Sequence, residues 1–280
     1  MEISFVRVTD QNARFYLNDC WPAFANSVRR EMSSGVPTLA IEDVRIYDNT
    51  SVLFDEMLVH RLGLIPLRTD LSAHVPKDQC SCQGAGCPAC TATYTLSVEG
   101  PRMVYSNDLI PQDSTSAPVS ENVPIVKLNE DQKIVVEAKA HLSTGKDHAK
   151  YQATTACGYK NYPVITIDEH CDACGMCVEE CPRGVLGTED GKAVVVEGKL
   201  EDCSLCKLCE RACLSASIGA ESSIRVNPDP SRFIFTVEGD GALPVVTVLS
   251  TAVGNIRKKA ADLETILSDV TTPGKEKETS

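Results

Sequence analysis

The sequence predicts an α+β fold that is interrupted by a metal-binding unit. Segments with strand and helix patterns alternate along most of the 280 residues, and a cysteine-rich repeat at 163–224 divides them. After the repeat the chain resumes with the strand-like segment RFIFTVEGDG and a long helical pattern. Because flanking segments of a different character continue on both sides, we interpret the repeat as an insertion. The length is typical of about two or three domains.

The N-terminal segment predicts a β-hairpin followed by a helix. In ISFVRVTDQNARFYLN, apolar residues recur at every second position on either side of the turn-forming TDQN. In WPAFANSVRREMSSG, Pro22 suits the first helical turn, and Gly35 ends the helix. The apolar side chains on one face of this predicted helix are those of Ala25, Val28 and Met32.

The middle of the chain adds further strands and a short helix. TLAIEDVRIY and KIVVEAKAHL have strand patterns, and FDEMLVHRLGLIPL predicts a helix that ends at Gly63. Residues 106–122 are rich in Pro, Ser, Asp and Asn, which predicts a loop. The last ten residues, 271–280, have the composition of a disordered tail.

The last predicted helix carries a narrow apolar stripe. Its apolar residues follow a 3-4-3-4-3-4 spacing, which places them on one seam, as in coiled coils. The stripe comprises Val246, Leu249, Val253, Ile256, Ala260, Leu263 and Leu267. Two interpretations remain open on the pattern alone. The helix either packs in the core of its own domain or pairs with a helix of another chain.

The composition describes an acidic chain with no visible targeting segment. The formal net charge of −12 argues against the whole chain wrapping nucleic acid by itself, because such binding depends on Lys and Arg neutralising phosphates. We expect no direct sequence-specific binding of nucleic acid. No run of about 18 apolar residues predicts a membrane-spanning helix. MEISFVRVTDQNARF lacks the basic and apolar regions of a signal peptide. We therefore expect a cytoplasmic protein that does not contact a membrane.

Fourteen cysteines are many for a cytoplasmic chain, where reducing conditions disfavour disulfides. Eight of them form two runs, 171–181 and 203–213, with the spacing C-x2-C-x2-C-x3-C. This spacing is typical of two-cluster ferredoxins, in which the fourth cysteine of each run ligates the other cluster. The predicted ligands of the first [4Fe-4S] cluster are Cys171, Cys174, Cys177 and Cys213. Those of the second are Cys203, Cys206, Cys209 and Cys181.

Three alternatives to two [4Fe-4S] clusters remain open. Structural zinc also uses C-x2-C pairs, although normally as two pairs separated by a longer stretch. One cluster with a degenerate second half, or a three-iron form, would also use part of these ligands. One departure from the motif supports a looser second half, because Leu214 stands where the first run has Pro182.

A further cysteine group lies in the Gly-containing loop CSCQGAGCPAC at 80–90. Four thiolates on such a loop can surround one zinc ion as a tetrahedron. The predicted zinc ligands are Cys80, Cys82, Cys87 and Cys90. The alternative is a loop without metal, either reduced or disulfide-linked. Cys20 and Cys157 are isolated, and we expect them to be buried as small apolar side chains.

No motif for catalysis is visible. The sequence contains no P-loop, no G-x-G-x-x-G after a strand and no H-E-x-x-H, and its five histidines are scattered. We therefore assign no catalytic residues to this chain and do not expect it to be an enzyme on its own.

The segment FANSVRREMSSGVPTLAIEDVRIYDNTSVLFDEMLVHRLGLIPL at 24–67 resembles the D family of archaeal DNA-directed RNA polymerase subunits. That family is related to the eukaryotic third-largest subunits and to the bacterial alpha N-terminal domain. TGKDHAKYQ and RFIFTVEGDGALP are also similar to family segments. Some members carry a ferredoxin-like insertion, and methanogen-type members keep both cysteine runs. The 80–90 loop is similar in position to the zinc loop of the eukaryotic relatives.

The resemblance implies a domain organisation and a set of partners. An alpha-N-terminal-domain-like dimerisation domain would comprise 1–40 and 223–270, an α/β insert domain 41–162, and a ferredoxin-like domain with two clusters 163–222. The chain would form a heterodimer with subunit L. Subunits N and P and the two large catalytic subunits would then dock on this platform.

The resemblance also implies which helices meet subunit L, namely the helix near residues 22–34 and the last helix. The contact would involve Phe24, Val28, Leu249, Val253, Ile256, Leu263 and Leu267. The implied function is a non-catalytic assembly subunit of RNA polymerase, in which the clusters are structural or sense redox conditions during assembly. The alternative function is a ferredoxin-like electron-transfer subunit of an oxidoreductase.

Overall fold

The computed structural model describes residues 1–216 and 221–271, with side chains up to residue 268. Most of the predicted tail at 271–280 therefore lies outside the described residues. The helices are α1 (Pro22–Ser34), α2 (Asp55–Gly63), α3 (Met176–Glu179), α4 (Leu208–Ala216) and α5 (Val245–Thr271). The strands are β1 (Glu2–Val8), β2 (Asn12–Asn18), β3 (Pro37–Asn49), β4 (Thr91–Glu99), β5 (Arg102–Tyr105), β6 (Ile110–Pro111), β7 (Pro124–Leu128), β8 (Lys133–Thr144), β9 (Thr154–Ile167), β10 (Leu186–Glu189), β11 (Lys192–Val195) and β12 (Ile224–Gly239).

The strands form two four-stranded and two two-stranded sheets in the described part of the chain. The sheet orders are β1-β2-β12-β9, β3-β8-β4-β6, β5-β7 and β10-β11. The predicted loop at 106–122 contains the two-residue strand β6, in which Ile110 pairs with Thr95 of β4. This pairing was not predicted, because the proline of β6 lacks the N–H that a regular strand uses and is tolerated only at an edge.

The chain divides into two compact units. One comprises Met1–Val6, Arg14–Ala25 and Gly158–Phe235, and the other comprises Arg7–Ala13, Asn26–Cys157 and Thr236–Ser280, each over its described residues. The predicted domains differ from these units in their boundaries, because several long strands and α1 contribute residues to both.

The second unit contains a large apolar core, which includes residues of the paired strands β3 and β8. Twenty buried residues form this core, and they come from β3, α2, β4, β5, β7, β8 and the loops between them. On β4 buried residues alternate with more exposed ones from Tyr94 to Glu99, as expected for a sheet with one face against a core. This alternation fixes the register of β4 against β8.

The predicted hairpin and first helix are confirmed. On β2, Ala13, Phe15 and Leu17 are buried and alternate with partly exposed residues. The predicted apolar face of α1 is also buried, since Ala25, Val28 and Met32 are at most 3% exposed. β1 differs from β2, because it is an edge strand on which no residue is buried.

Helix α5 has a buried face in its first two turns and none further along its described length. Its buried residues are Val245, Val248, Leu249 and Ala252, and from residue 257 to residue 268 every described side chain is exposed. Asn255 donates a hydrogen bond to the carbonyl oxygen of Gly35 at 2.9 Å, and Lys259 pairs with Glu31 of α1. Within the described residues, no helix is long and apolar enough to cross a lipid bilayer.

Candidate metal centres

The two predicted cluster runs fold into matching loops. The offset of 32 residues pairs Ala173 with Leu205 and Gly175 with Lys207. All four adopt positive φ, at 55°, 59°, 78° and 60° respectively. Left-handed residues at equal places let each loop turn its thiols inward, and the third cysteine of each run, Cys177 or Cys209, then lies in the first turn of a helix.

The loops bring the eight thiols together in two groups. One cavity encloses about 350 Å³ of empty space and is lined by Cys181, Cys203, Cys206 and Cys209. The other encloses about 430 Å³ and is lined by Cys171, Cys174, Cys177 and Cys213. Each group contains three cysteines of one run and the last cysteine of the other. Binding of iron by these groups stays a prediction.

Backbone amides point at several of these sulfur atoms. Val185 donates to Sγ of Cys181 at 3.4 Å, Ala193 to Sγ of Cys171 at 3.3 Å, and Leu205 to Sγ of Cys203 at 3.5 Å. Such hydrogen bonds stabilise sulfur atoms that carry negative charge. They fit cysteines that ligate an iron–sulfur cluster, whose sulfurs commonly accept backbone hydrogen bonds.

Burial affects the thiols unequally. Burial raises the pKa of Cys209 to about 11 and also raises the pKa of Cys177. Cys206 is exposed, and a backbone hydrogen bond from Leu208 lowers the pKa of its thiol. A cluster bound in each cavity would hold its four cysteine sulfurs as thiolates through its positive iron ions, which deprotonate coordinating thiols.

The apolar core around the two cavities is small. Six buried residues form it, and two of them are Cys177 and Cys209. The others are Leu186, Ala193, Ile224 and Val226. Apolar burial therefore contributes little to the stability of these loops.

The loop at 80–90 gathers four further thiols. The Sγ atoms of Cys80, Cys82, Cys87 and Cys90 all lie within 4.8 Å of one another, and the closest pairs are 3.4, 3.5 and 3.9 Å apart. A tetrahedral zinc site with Zn–S bonds of about 2.3 Å places its sulfurs about 3.8 Å apart. The four thiols are free cysteines in this structure, and their donor set and spacing fit zinc.

Three side chains near the zinc-type loop were not predicted from the sequence. Oγ1 of Thr91 lies 3.8 Å from Sγ of Cys90 and 3.4 Å from Nδ1 of His141. Nε2 of His141 lies 3.0 Å from a carboxylate oxygen of Asp43. Polar contacts thus run from Cys90 through Thr91 and His141 to Asp43. No local pattern indicates them, because His141 and Cys90 are far apart in the sequence.

The residues predicted to face a partner fall into three groups by their exposure. Val28 and Leu249 are 3% and 8% exposed and lie in the core of the chain itself, while Phe24 and Ile256 are half-buried. Val253, Leu263 and Leu267 are 38%, 57% and 54% exposed. Ile266, which the seam pattern omitted, is 59% exposed. The second half of α5 thus presents large apolar side chains to solvent.

Cys20 and Cys157 are separate from all three cysteine groups. Cys20 is buried, as expected. Cys157 is partly buried, its thiol lies 3.7 Å from the carbonyl oxygen of Arg29, and burial raises its pKa to about 11.

Two family models match the sequence. Residues 44–169 match the RNA polymerase Rpb3/RpoA insert domain, and residues 164–186, which contain the first cysteine run, match a 4Fe-4S binding domain.

Curated relatives extend the similarity to almost the whole chain. DNA-directed RNA polymerase subunit Rpo3 of Methanosarcina acetivorans is 47% identical over 96% of this chain and 99% of its own length. The Rpo3 subunits of Archaeoglobus fulgidus and Thermoplasma volcanium are 40% and 35% identical, again over 96% of this chain, and over 98% and 100% of their own lengths. The chain therefore belongs to the archaeal DNA-directed RNA polymerase subunit Rpo3 family.

Proposed function

We propose that this chain is the non-catalytic assembly subunit of an archaeal DNA-directed RNA polymerase. The observation that carries this function is the similarity to Rpo3 subunits over 96% of the chain. The electron-transfer alternative is not favoured, because these relatives align with the cysteine runs and with the rest of the chain alike. The catalytic site of the polymerase belongs to other subunits.

The chain pairs with subunit L through α5. The exposed apolar side chains of Val253, Leu263 and Ile266 lie on a helix that also carries charged residues, such as Lys258 and Asp262. A stripe of this kind is typical of a surface that another protein covers. Subunits N and P and the two large subunits dock on the resulting heterodimer, and the complex works in the cytoplasm.

A co-purification experiment tests the heterodimer. Leu263→Lys places a charge in the apolar stripe and should weaken binding to subunit L at least about tenfold, the effect of losing one strongly contributing interface residue. Asp262→Lys changes the neighbouring exposed residue and should leave the affinity within about twofold. Equal losses in both variants would show that the stripe does not form the contact.

The domain organisation follows that of polymerase subunits related to the bacterial alpha N-terminal domain. Residues 1–40 and 223–270 form the dimerisation domain, 41–162 the insert domain and 163–222 the ferredoxin-like domain. The presence of both complete cysteine runs supports a methanogen-type member of the family.

The ferredoxin-like domain holds two [4Fe-4S] clusters with the ligand sets predicted above. The two four-cysteine cavities and their N–H···S hydrogen bonds support these sets. The clusters supply cross-links that hold the loops together, and they either serve structure alone or make assembly sensitive to oxidation. Anaerobically purified chain should contain about eight irons, in keeping with two cubanes. EPR spectra of the reduced protein should show two interacting clusters.

Serine variants of the cluster ligands distinguish formation of the heterodimer with subunit L from docking of the larger subunits. We expect the heterodimer with subunit L to persist, because the α5 stripe lies outside the cluster region. Docking of the larger subunits should weaken. If an iron-free variant assembles a complete polymerase normally at every oxygen level, the clusters have no part in assembly.

The 80–90 loop binds one zinc ion. The spacing of its four sulfurs supports this proposal. Cys90→Ser should lower the zinc content from about one ion per chain to near zero, while Cys157→Ser, at a cysteine outside the loop, should not change it. Unchanged zinc content in the first variant would refute this ligand set.

A further inference from the structure

The two cysteine repeats have equal loops but unequal attachments to the sheet. Each loop is preceded by a glutamate two residues before its first cysteine, Glu169 in the first repeat and Glu201 in the second. Glu169 is exposed, and its side chain has no ion pair or hydrogen bond in the described part of the chain. Glu201, in contrast, is the centre of a polar network.

The carboxylate of Glu201 is bound from β2. A guanidinium nitrogen of Arg14 lies 3.0 Å from one carboxylate oxygen, and the hydroxyl of Tyr16 donates to the other. The side chains of Glu201 and Arg14 are 28% and 35% exposed, so solvent screens this ion pair only in part. Burial, together with Glu201, raises the pKa of Tyr16 to about 12, so Tyr16 remains a donor throughout the physiological range.

The backbone of the same turn is bound from β9. Nζ of Lys160 donates to the carbonyl oxygens of Glu201 at 2.5 Å and of Cys203 at 2.8 Å. Lys160 thereby contacts the main chain of a predicted cluster ligand directly. Its ammonium group binds two carbonyl oxygens at the end of a short 3-10 turn, where carbonyl groups otherwise lack partners.

These donors share one face of the sheet. Arg14 and Tyr16 alternate with the buried Phe15, so they lie on the opposite face from the core. The ring of Tyr16 meets that of Tyr162 at 6.0 Å, and Arg232 lies over Tyr162 at 4.1 Å. This face of the sheet therefore contacts the second loop through Arg14, Tyr16 and Lys160.

We propose that Glu201 and Lys160 couple the second cluster to the sheet, so that occupation of the Cys203 group stabilises β2 and β9 and occupation of the Cys171 group does not. The coupling rests on the proposed cluster ligands. It goes beyond them by assigning unequal roles to two sites of equal chemistry.

Hydrogen exchange of the full chain, purified without oxygen, tests the tether itself. Glu201→Gln keeps the shape of the side chain but removes its charge, and it should speed amide exchange in 12–18 and 158–163 about tenfold, as expected for lost charge-assisted hydrogen bonds. Glu169→Gln is the matched control and should change exchange there less than twofold. Equal effects of the two variants would overturn the proposal.

The matched ligand variants Cys206→Ser and Cys174→Ser test the coupling, because both cysteines are exposed and occupy equivalent places in the repeats. With one cluster lost in each, as checked by iron analysis, Cys206→Ser should speed exchange in β2 and β9 about tenfold and Cys174→Ser less than twofold. Adding Glu201→Gln to Cys206→Ser should have little further effect. Equal changes in exchange for Cys206→Ser and Cys174→Ser would refute the coupling but not the clusters. The same holds if the effects of Glu201→Gln and Cys206→Ser add fully in the double variant. Wild-type protein without iron would refute the cluster proposal and the coupling together.

Discussion

Two regions of the chain differ in how much apolar surface they bury. They are the apolar core formed between residues 39 and 142, called the insert core, and the region around the two cysteine cavities, called the cluster region. Between residues 39 and 142, twenty buried residues form one apolar core. Around the two cysteine cavities, six of the described residues are buried in the core, and two of these are predicted ligands. Apolar burial contributes to stability in proportion to the area removed from water. One chain therefore combines a core that apolar burial can stabilise with a region that has little apolar burial, and the proposed clusters would stabilise the second region.

Removal of iron should cause the largest difference in amide protection between the two regions. A chelator with an oxidant should abolish most amide protection at 164–216, because the loops there have few other stabilising contacts. Protection at 91–99 and 133–142 should remain unchanged. Hydrogen exchange read by mass spectrometry gives both results in one sample. Loss of protection in both regions, or in neither, would contradict the difference between them.

The sequence predicted the local features well and the distant contacts poorly. The hairpin, α1 and α5 follow from short-range periodicity, and the grouping of thiols follows from spacing within a repeat. The tether between Tyr16 and Glu201 joins residues 185 positions apart, and no pattern within either segment indicates it.

Helix α5 shows the same limit. Seven residues fit one seam by spacing, yet Leu249 lies in the core of the chain, Ile256 is half-buried, and Leu263 and Leu267 are exposed. A periodic pattern defines a face of a helix, but not what covers that face along its length.

A truncation in the insert core should have the next largest effect. Leu96→Ala removes a fully buried side chain on β4 and should lower the free energy of unfolding of this region by about 2–5 kcal/mol. Ser97→Ala, at the adjacent exposed position, should change it by less than about 0.5 kcal/mol. Urea denaturation followed by far-UV circular dichroism measures both. The iron content of the two variants should equal that of the wild type, and a loss of iron in Leu96→Ala would show that the regions are not independent.

A backbone substitution in the first cluster loop should have a smaller effect. Gly175 has φ of 78°, and a Cβ placed there meets no atom within 4 Å. With respect to the protein's own atoms, the cost of Gly175→Ala is therefore conformational, about 1 kcal/mol. Amides near Cys177 should exchange about fivefold faster, whereas exchange in the insert core should stay the same. A much larger effect would mean that the loop makes contacts that the open space around Gly175 does not suggest.

The equivalent position in the second loop should give the smallest effect, with opposite sign. Lys207 has φ of 60°, and Lys207→Gly relieves this strain. The gain is reduced because glycine gives the unfolded chain more freedom and because the partly exposed ion pair with Glu210, at 3.5 Å, is lost. We expect a net stabilisation of about 0.5 kcal/mol. Lys207→Ala separates the two contributions, since it removes the ion pair but keeps the strain. Slower exchange near Cys209 in the glycine variant than in the alanine variant would show that strain dominates. The reverse order would show that the greater freedom of glycine in the unfolded chain outweighs the relief of strain. Faster exchange in Lys207→Ala than in the wild type would measure the ion pair with Glu210.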